Sequence, residues 1–320
     1  MKSPLLALPG AVPAEGTDEG VAAHYGDLFR EQRRLAQGSG FVDLSHRGVL
    51  TVTGDDRLTW LHLLLTQHVS ALPPQQATEA LVLSPNGHVE HALYLVDDGT
   101  TTWAHVEPGT QEALVGYLES MKFFYRVEVA DATADYAVVH LPAGSTVSAE
   151  GAAAVRELTW GRDLFLPRAE LAELTREYGP AAGIWAYEAL RIEGHRPRLG
   201  FETDHRTIPH EVDWLNTAVH LQKGCYRGQE TVARVHNLGR PPRRLVFLHL
   251  DGTEEVLPPH GTEVRLASDP DGRALGFVTS SARHHELGPV ALAIVKRNVP
   301  LDVVLLAGRV PGTQDVIVPQ

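Results

Sequence analysis

Lys223-Gly224-Cys225-Tyr226-Arg227-Gly228-Gln229-Glu230 gathers a thiol, a phenol, a carboxylate and two cations, and it holds the only cysteine of a 320-residue chain. Glycines four residues apart suit a tight turn or a close backbone approach to a ligand. The run Gln229 to Asn237 has helical character and stops at Gly239 and Pro241-Pro242. A thiol flanked by Lys223 and Arg227, close to a helix start, should have its thiolate favoured, as a nucleophile or redox sensor requires. The alternative is a packed, inert thiol. One cysteine excludes an intrachain disulfide and a thiolate zinc site within the chain, so a reducing cytoplasm is the default.

Charge concentrates in the same region. Net charge is −12 with histidine neutral, which disfavours nucleic-acid binding over the whole surface, because backbone affinity needs positive charge. Between Leu221 and Arg244, however, Lys223, Arg227, Arg234, Arg240, Arg243 and Arg244 face a single acid, Glu230. This is either a solvated helix face with a basic loop or a landing site for an anionic ligand or partner.

The elements that must position these groups are readable in outline. With 43% hydrophobic and 21% charged residues the chain can bury real cores. No apolar run reaches membrane length, and the N-terminus, broken by Pro4, Pro9 and Pro13, reads as a loose lead-in rather than a secretory signal. Residues 19–37 predict a helix closed by Gly38 and Gly40. Gly48–Gly54 predicts a strand, and Arg57–Val69 an apolar helix opened by Asp55-Asp56. Glu79–Ser84 and His88–Val96 predict a hairpin across Pro85-Asn86-Gly87. A strand at Thr101–Glu107, a helix at about 110–122 and strands at Arg126–Ala130 and Tyr136–Leu141 follow, then an exposed loop from Ala143 to Ala154.

Leu158–Leu166 reads as one strand, Pro167–Tyr178 as a helix with proline at its start, and Ala181–Glu193 as a helix ending at Gly194. The chain to about 220 reads as irregular. Beyond Pro241-Pro242 five short β-rich runs, 245–250, 263–267, 274–280, 290–295 and 302–307, suit a small barrel or sandwich. The whole reads as α+β, without a strict βαβ rhythm. The expected division is a lead-in and helix over 1–40, a body over 41–240 and a β domain over 241–320. No glycine pattern fits a Rossmann fingerprint or P-loop, and no Gly-x-Ser-x-Gly elbow occurs. His88 and His91 fall on opposite faces of one strand, and His284-His285 reads as a solvated turn rather than a metal site.

The 223–230 motif resembles the Lys-Gly-Cys-Tyr-x-Gly-Gln-Glu signature of the folate-binding YgfZ family, relatives of the glycine-cleavage T-protein, an aminomethyltransferase. The adjoining Val232-Ala233-Arg234 matches too. Leu61–Val69 resembles a segment ending Leu-Leu-Thr-Asn-Asp-Val, with Gln67 and His68 replacing Asn-Asp. Leu190-Arg191-Ile192-Glu193-Gly194 resembles Leu-Arg-Leu-Glu-Ala-Gly. The likeness runs from about residue 41 to the C-terminus. It implies an aminomethyltransferase-like folate-binding body of two related subdomains around a central opening, plus a C-terminal small β-barrel.

It also implies tetrahydrofolate as ligand. A pterin has an edge of adjacent N–H donors that a carboxylate accepts in bidentate fashion, and Glu193 holds the matching position; a helix-end glutamate paired with Arg191 or Arg196 is the alternative. Trp185, eight residues earlier on the same predicted helix, aligns with a tryptophan associated with folate, and otherwise belongs to a core. A second such tryptophan is replaced near Arg47, whose guanidinium could stack on a ring. Lys223, Tyr226, Arg227, Gln229 and Arg234 complete the candidate folate contacts, the basic stretch suiting an anionic glutamate tail.

Transferases of this superfamily rely on an aspartate in an Ile-Asp-Asp-Leu strand. Here that strand reads His88-Val89-Glu90-His91-Ala92-Leu93, with His91 at the second aspartate; a glutamate one position away on a strand points to the other face. The resemblance therefore implies retained folate binding without glycine-cleavage chemistry, and an accessory role in iron–sulfur cluster assembly or repair, through it indirectly in tRNA modification. The partners would be iron–sulfur client or assembly proteins, with Cys225 a transient ligand. A folate-dependent aminomethyl or one-carbon transferase and a non-catalytic folate-binding scaffold are the alternatives.

Overall fold

The computed structural model describes residues 1–253 and 256–318. The chain divides into two compact units, one formed by 1–82 with 91–187 and the other by 83–90 with 188–320.

The first unit opens with a short ribbon, β1 (Val12–Pro13) against β2 (Ala22–His24), and then α1 (Leu28–Ala36). The helix expected over 19–37 therefore forms only in its second half. It starts where Asp27 caps the Arg30 amide at 2.9 Å, and the residues before it are taken up by the ribbon. Strands β3 (Phe41–Asp43) and β4 (Gly48–Thr53) precede α2 (Arg57–Leu64). That helix stops five residues short of the expected Val69, because Leu65 turns extended and Thr66 instead bonds the strand at Leu81.

The hairpin β5 (Ala77–Leu83) and β6 (Val89–Asp97) forms across Pro85-Asn86-Gly87 as expected, followed by β7 (Thr101–Val106), α3 (Gln111–Ser120), β8 (Glu128–Asp131) and β9 (Tyr136–Pro142). The strand expected at 158–166 forms as β11 (Gly161–Pro167), starting three residues later, and pairs in a hairpin with an unexpected strand before it, β10 (Ala154–Leu158). Gly161 makes its turn at φ +146, with the space a Cβ would need closed by the Leu141 carbonyl. A 3-10 turn over Arg168–Glu173 and α4 (Leu174–Glu177) replace the single helix expected over 167–178. After β12 (Ala181–Ala182), α5 (Ile184–Glu193) leads out of the unit.

Two five-stranded sheets result, ordered β5-β6-β7-β4-β8 and β10-β11-β9-β3-β12. Period-2 alternation sorts their faces. Leu93 and Leu95, Ala104 and Val106, and Leu50 and Val52 of the first sheet bury against Trp60, Leu61, Leu64, Leu114 and Leu118 of α2 and α3. Ala137, Val139, Leu141, Leu164 and Leu166 of the second form a separate core with Leu5, Phe41, Leu171 and Leu174. The intervening positions, Tyr94, His105, His140 and Asp163, point the other way.

The second unit contains α6 (Trp214–Thr217), α7 (Gln229–Leu238) and the strands β13 (Arg243–Leu250), β14 (Glu263–Leu266), β15 (Gly276–His284), β16 (Gly288–Lys296), β17 (Leu305–Ala307) and β18 (Val310–Val316). The six strands close a barrel in the order β13-β16-β15-β14-β17-β18. Its interior is filled by Val246, Leu248, Val264, Val278, Ala291, Ala293, Val295 and Leu305. β18 lies outside the five β-rich runs of the sequence; its Pro311 and Gly312 mask the strand pattern. Closure removes both sheet edges, which explains how short strands with frequent turn residues hold together.

Candidate functional site

The motif is a clamp on the β5–β6 hairpin tip. Gly228 sits at φ +82 as the residue before α7; a Cβ there would lie 2.6 Å from the Ser84 carbonyl and 2.9 Å from Gly87 Cα. Gly87, at φ +80, is closed in turn by Thr231, 2.7 Å from where its Cβ would be. The two glycines thus meet because neither carries a side chain. Arg227 Nη1 donates to Glu90 Oε2 at 2.9 Å, and the Val89 amide donates to the Thr207 carbonyl at 2.8 Å. Gly224, the motif's other glycine, lies outside the left-handed region and has open space, with nothing within 4 Å of where a Cβ would stand.

Within this frame Cys225 is exposed. Lys223 and Tyr226, flanking Gly224-Cys225 in the motif, point inward. Lys223 is 6% exposed with Nζ 5.0 Å from the Tyr226 ring centroid. Burial brings the Lys223 amine down to about 8 and pushes the Tyr226 phenol up to about 12. Gln229 turns back to donate to the Lys223 carbonyl at 3.4 Å. The cations counted in the sequence are largely committed: Arg227 to Glu90, Arg243 to Asp204 at 2.6 Å and Glu211 at 2.9 Å, while Arg244 is fully buried and donates to Val299 O and Gln314 Oε1 at 3.0 Å. Arg234 and Arg240 are exposed on and beyond α7. Arg240 lines, with Arg297 and three prolines, a cavity of about 650 Å³ at one end of the barrel that contains no motif residue.

Helix α5 presents Trp185 and Glu193 to solvent while most of its other residues are buried or half-buried. Trp185 is 51% exposed, with the His24 ring at 5.3 Å, so it is not a core tryptophan. Arg191 is not the partner of Glu193. It is 2% exposed and donates to Glu188, Glu202 and Ser280 at 2.8, 3.0 and 2.7 Å, anchoring the helix end to β15. Glu193 Oε2 instead lies 3.3 Å from Nε2 of His284. The expectation that His284-His285 forms a solvated turn is corrected: His284 is 2% exposed as the last residue of β15. No local signal marks it, since the contact joins positions far apart in the sequence.

Arg47 is interior, 3% exposed, its guanidinium 5.9 and 5.8 Å from the Tyr94 and Tyr187 rings and 3.6 Å from Glu107. It heads a polar layer on the inner faces of the two sheets. Arg47 Nη1 lies 3.4 Å from His105 Nδ1; Asp163 receives His105 at 3.2 Å, His140 at 2.8 Å and Arg156 at 3.0 Å. Burial opposes the Asp163 charge, but the hydrogen bonds from His105 and His140 outweigh it and hold the carboxyl well below its usual range. Burial brings His105 down to about 4 against the pull of Asp163. The layer draws on many separate segments, which is why no motif announced it. Among the described residues, no group of three or more His, Cys, Asp or Glu could hold a metal ion, and no helix is long and apolar enough to cross a membrane.

This geometry sits on a known architecture. Glycine cleavage system aminomethyltransferase T from Bartonella henselae superposes with a TM-score of 0.79 over 98% of this chain and 94% of its own, at 18% identity. The chain therefore has the aminomethyltransferase-like fold, with mixed α/β sheets and a closed six-strand C-terminal barrel. In sequence it is 26% identical to an aminomethyltransferase of Herpetosiphon aurantiacus, over 92% of this chain and 90% of the relative. It is equally 26% identical to the mitochondrial iron–sulfur cluster assembly factor IBA57 homolog of Mycosarcoma maydis, over 76% and 68%. No family model matches the chain.

Proposed function

We propose that this protein binds tetrahydrofolate through Glu193 and serves as an accessory factor in iron–sulfur cluster assembly or repair, with Cys225 as its functional thiol. The observation that carries the folate reading is the state of Glu193. Its carboxylate is half-exposed, its neighbour Arg191 is turned inward to other acids, and a buried imidazole stands behind it. An accessible, oriented carboxylate fits the donor edge of a pterin; Trp185, exposed, remains a candidate for stacking. Lys223, Tyr226, Arg227, Gln229 and Arg234 remain candidate contacts of this proposal, Lys223, Arg227 and Arg234 for the anionic tail. Arg47 is interior, its guanidinium set against the Tyr94 and Tyr187 rings.

The iron–sulfur part rests on the IBA57-type relative, the YgfZ-like motif and the exposure of Cys225. Its partners would be iron–sulfur client or assembly proteins in a reducing cytoplasm, with an indirect effect on tRNA modification. The aminomethyltransferase relatives favour a second reading, one-carbon transfer. Against it, the acid left in the relevant strand, Glu90, is bound to Arg227. Titrating the protein with tetrahydrofolate by tryptophan fluorescence tests the folate reading. Saturable quenching that weakens at least about tenfold in Glu193→Ala is expected, a loss of about 1.4 kcal/mol that one charge-assisted hydrogen bond can supply. Equal affinity in the variant would overturn it.

A further inference from the structure

His284 closes strand β15, and the chain turns immediately into β16, with His284 opposite Gly288 in the register. Its Nδ1 lies 3.2 Å from the Glu286 amide and 3.1 Å from the Leu287 amide. Both are N–H donors, so Nδ1 is an acceptor, and a neutral imidazole then carries its proton on Nε2. Burial keeps the ring on the neutral side against the pull of Glu193, with His285 adding in the same direction. The Nε2–H is shielded from solvent and has no well-aligned acceptor among the described residues; the group in front of it is Glu193 Oε2 at 3.3 Å. That is long for an N–H···O hydrogen bond.

Glu193 is the last residue of α5 and its side chain is 47% exposed. Left alone, such a side chain samples several rotamers, and a ligand that needs both carboxylate oxygens in one plane must order it on binding. We infer that His284 is the positioning residue for Glu193, holding Oε2 from behind through Nε2–H and leaving Oε1 and the outer lone pair of Oε2 for the paired N–H donors of a pterin. The inference rests on the folate reading of Glu193 and extends it: the barrel supplies a residue that fixes the ligand-binding carboxylate. The same turn that ends β15 sets the tautomer, so the orientation of the acid is written into the β15–β16 hairpin.

Two conservative substitutions separate this role from a structural one. Asparagine places its oxygen near the site of Nδ1 and can accept from the turn amides, but it does not reach Glu193. Glutamine places its amide nitrogen near the site of Nε2 and can donate to Glu193, but it gives up the turn contact. With tetrahydrofolate as probe, His284→Asn is expected to bind at least about tenfold more weakly than wild type, and His284→Gln within about threefold. Adding His284→Asn to Glu193→Ala is expected to cost nothing further, because the residue acts through the carboxylate. Thermal unfolding, by contrast, should be lower for His284→Gln than for His284→Asn. If Glu193→Ala loses affinity while His284→Asn keeps it, or if glutamine loses as much as asparagine, the positioning role is wrong and the folate reading stands. If Glu193→Ala binds like wild type, the folate reading of Glu193 fails and this inference falls with it.

Discussion

The two glycines of the Lys223–Glu230 motif look alike in the sequence and differ sharply in the structure, which sets a quantitative test. In Gly228→Ala the new methyl meets backbone on two sides, the Ser84 carbonyl at 2.6 Å and Gly87 Cα at 2.9 Å, and the residue must hold φ +82. The left-handed conformation costs a non-glycine residue about 1–2 kcal/mol, and forcing atoms into a filled site costs about 1–3 kcal/mol. A combined loss of roughly 2–5 kcal/mol follows. Gly224→Ala meets nothing within 4 Å and should change stability by less than about 0.5 kcal/mol. Amide hydrogen exchange at Val89, whose N–H is held by Thr207 O, reads the clamp directly. At about 1.4 kcal/mol per decade, exchange in Gly228→Ala should accelerate roughly 30- to 4,000-fold, and in Gly224→Ala by less than about threefold. Equal behaviour of the two variants would refute the clamp.

Two further outcomes follow from the same geometry. His105 titrates near 4 in the fold, against about 6.5 unfolded. The unfolded chain therefore binds more protons between those values, and His105 contributes stability that is full above pH 6.5 and lost as pH falls towards 4, by roughly 3 kcal/mol. His210, also brought down to about 4 by burial, adds to the same window, so the His105 share is read as the difference in urea midpoint shift between wild type and His105→Gln from about pH 7 to about 4.5; identical shifts would contradict it. Cys225, exposed on the clamp, should alkylate stoichiometrically in the native protein. Cys225→Ser should keep tetrahydrofolate affinity while failing to restore iron–sulfur enzyme activity in a deletion strain; full restoration would remove the thiol from the proposed function.

Much of the fold was legible because its elements carry local signals. The β5–β6 hairpin was marked by Pro85-Asn86-Gly87, α7 by its glycine and proline stops, and the barrel by its run of short strands. The misreadings have physical causes. Leu158–Leu166 reads as one strand because Leu158, Trp160 and Phe165 hide the reversal at Thr159-Trp160, so its partner β10 was missed. Val21, Leu28 and Leu35 give residues 19–37 a loose helical pattern, yet pairing with Val12–Pro13 claims Ala22–His24. Of the candidate site, the motif and the positions Trp185 and Glu193 stood out in the sequence, but their exposure did not. His284 and the Asp163 layer were not legible, because each depends on contacts between segments far apart in sequence. The basic stretch misled in the opposite direction: its charge is real, but Arg227 and Arg243 are tied to Glu90, Asp204 and Glu211, and Arg244 is sealed in the barrel.

Everything proposed for folate turns on Glu193 receiving the pterin edge. A crystal structure of the tetrahydrofolate complex tests that contact most directly. The expected result is the pterin N–H edge within hydrogen-bond distance of both Glu193 oxygens, with His284 Nε2 drawn closer than 3.3 Å to Oε2. A pterin bound elsewhere, with Glu193 still facing solvent, would contradict it.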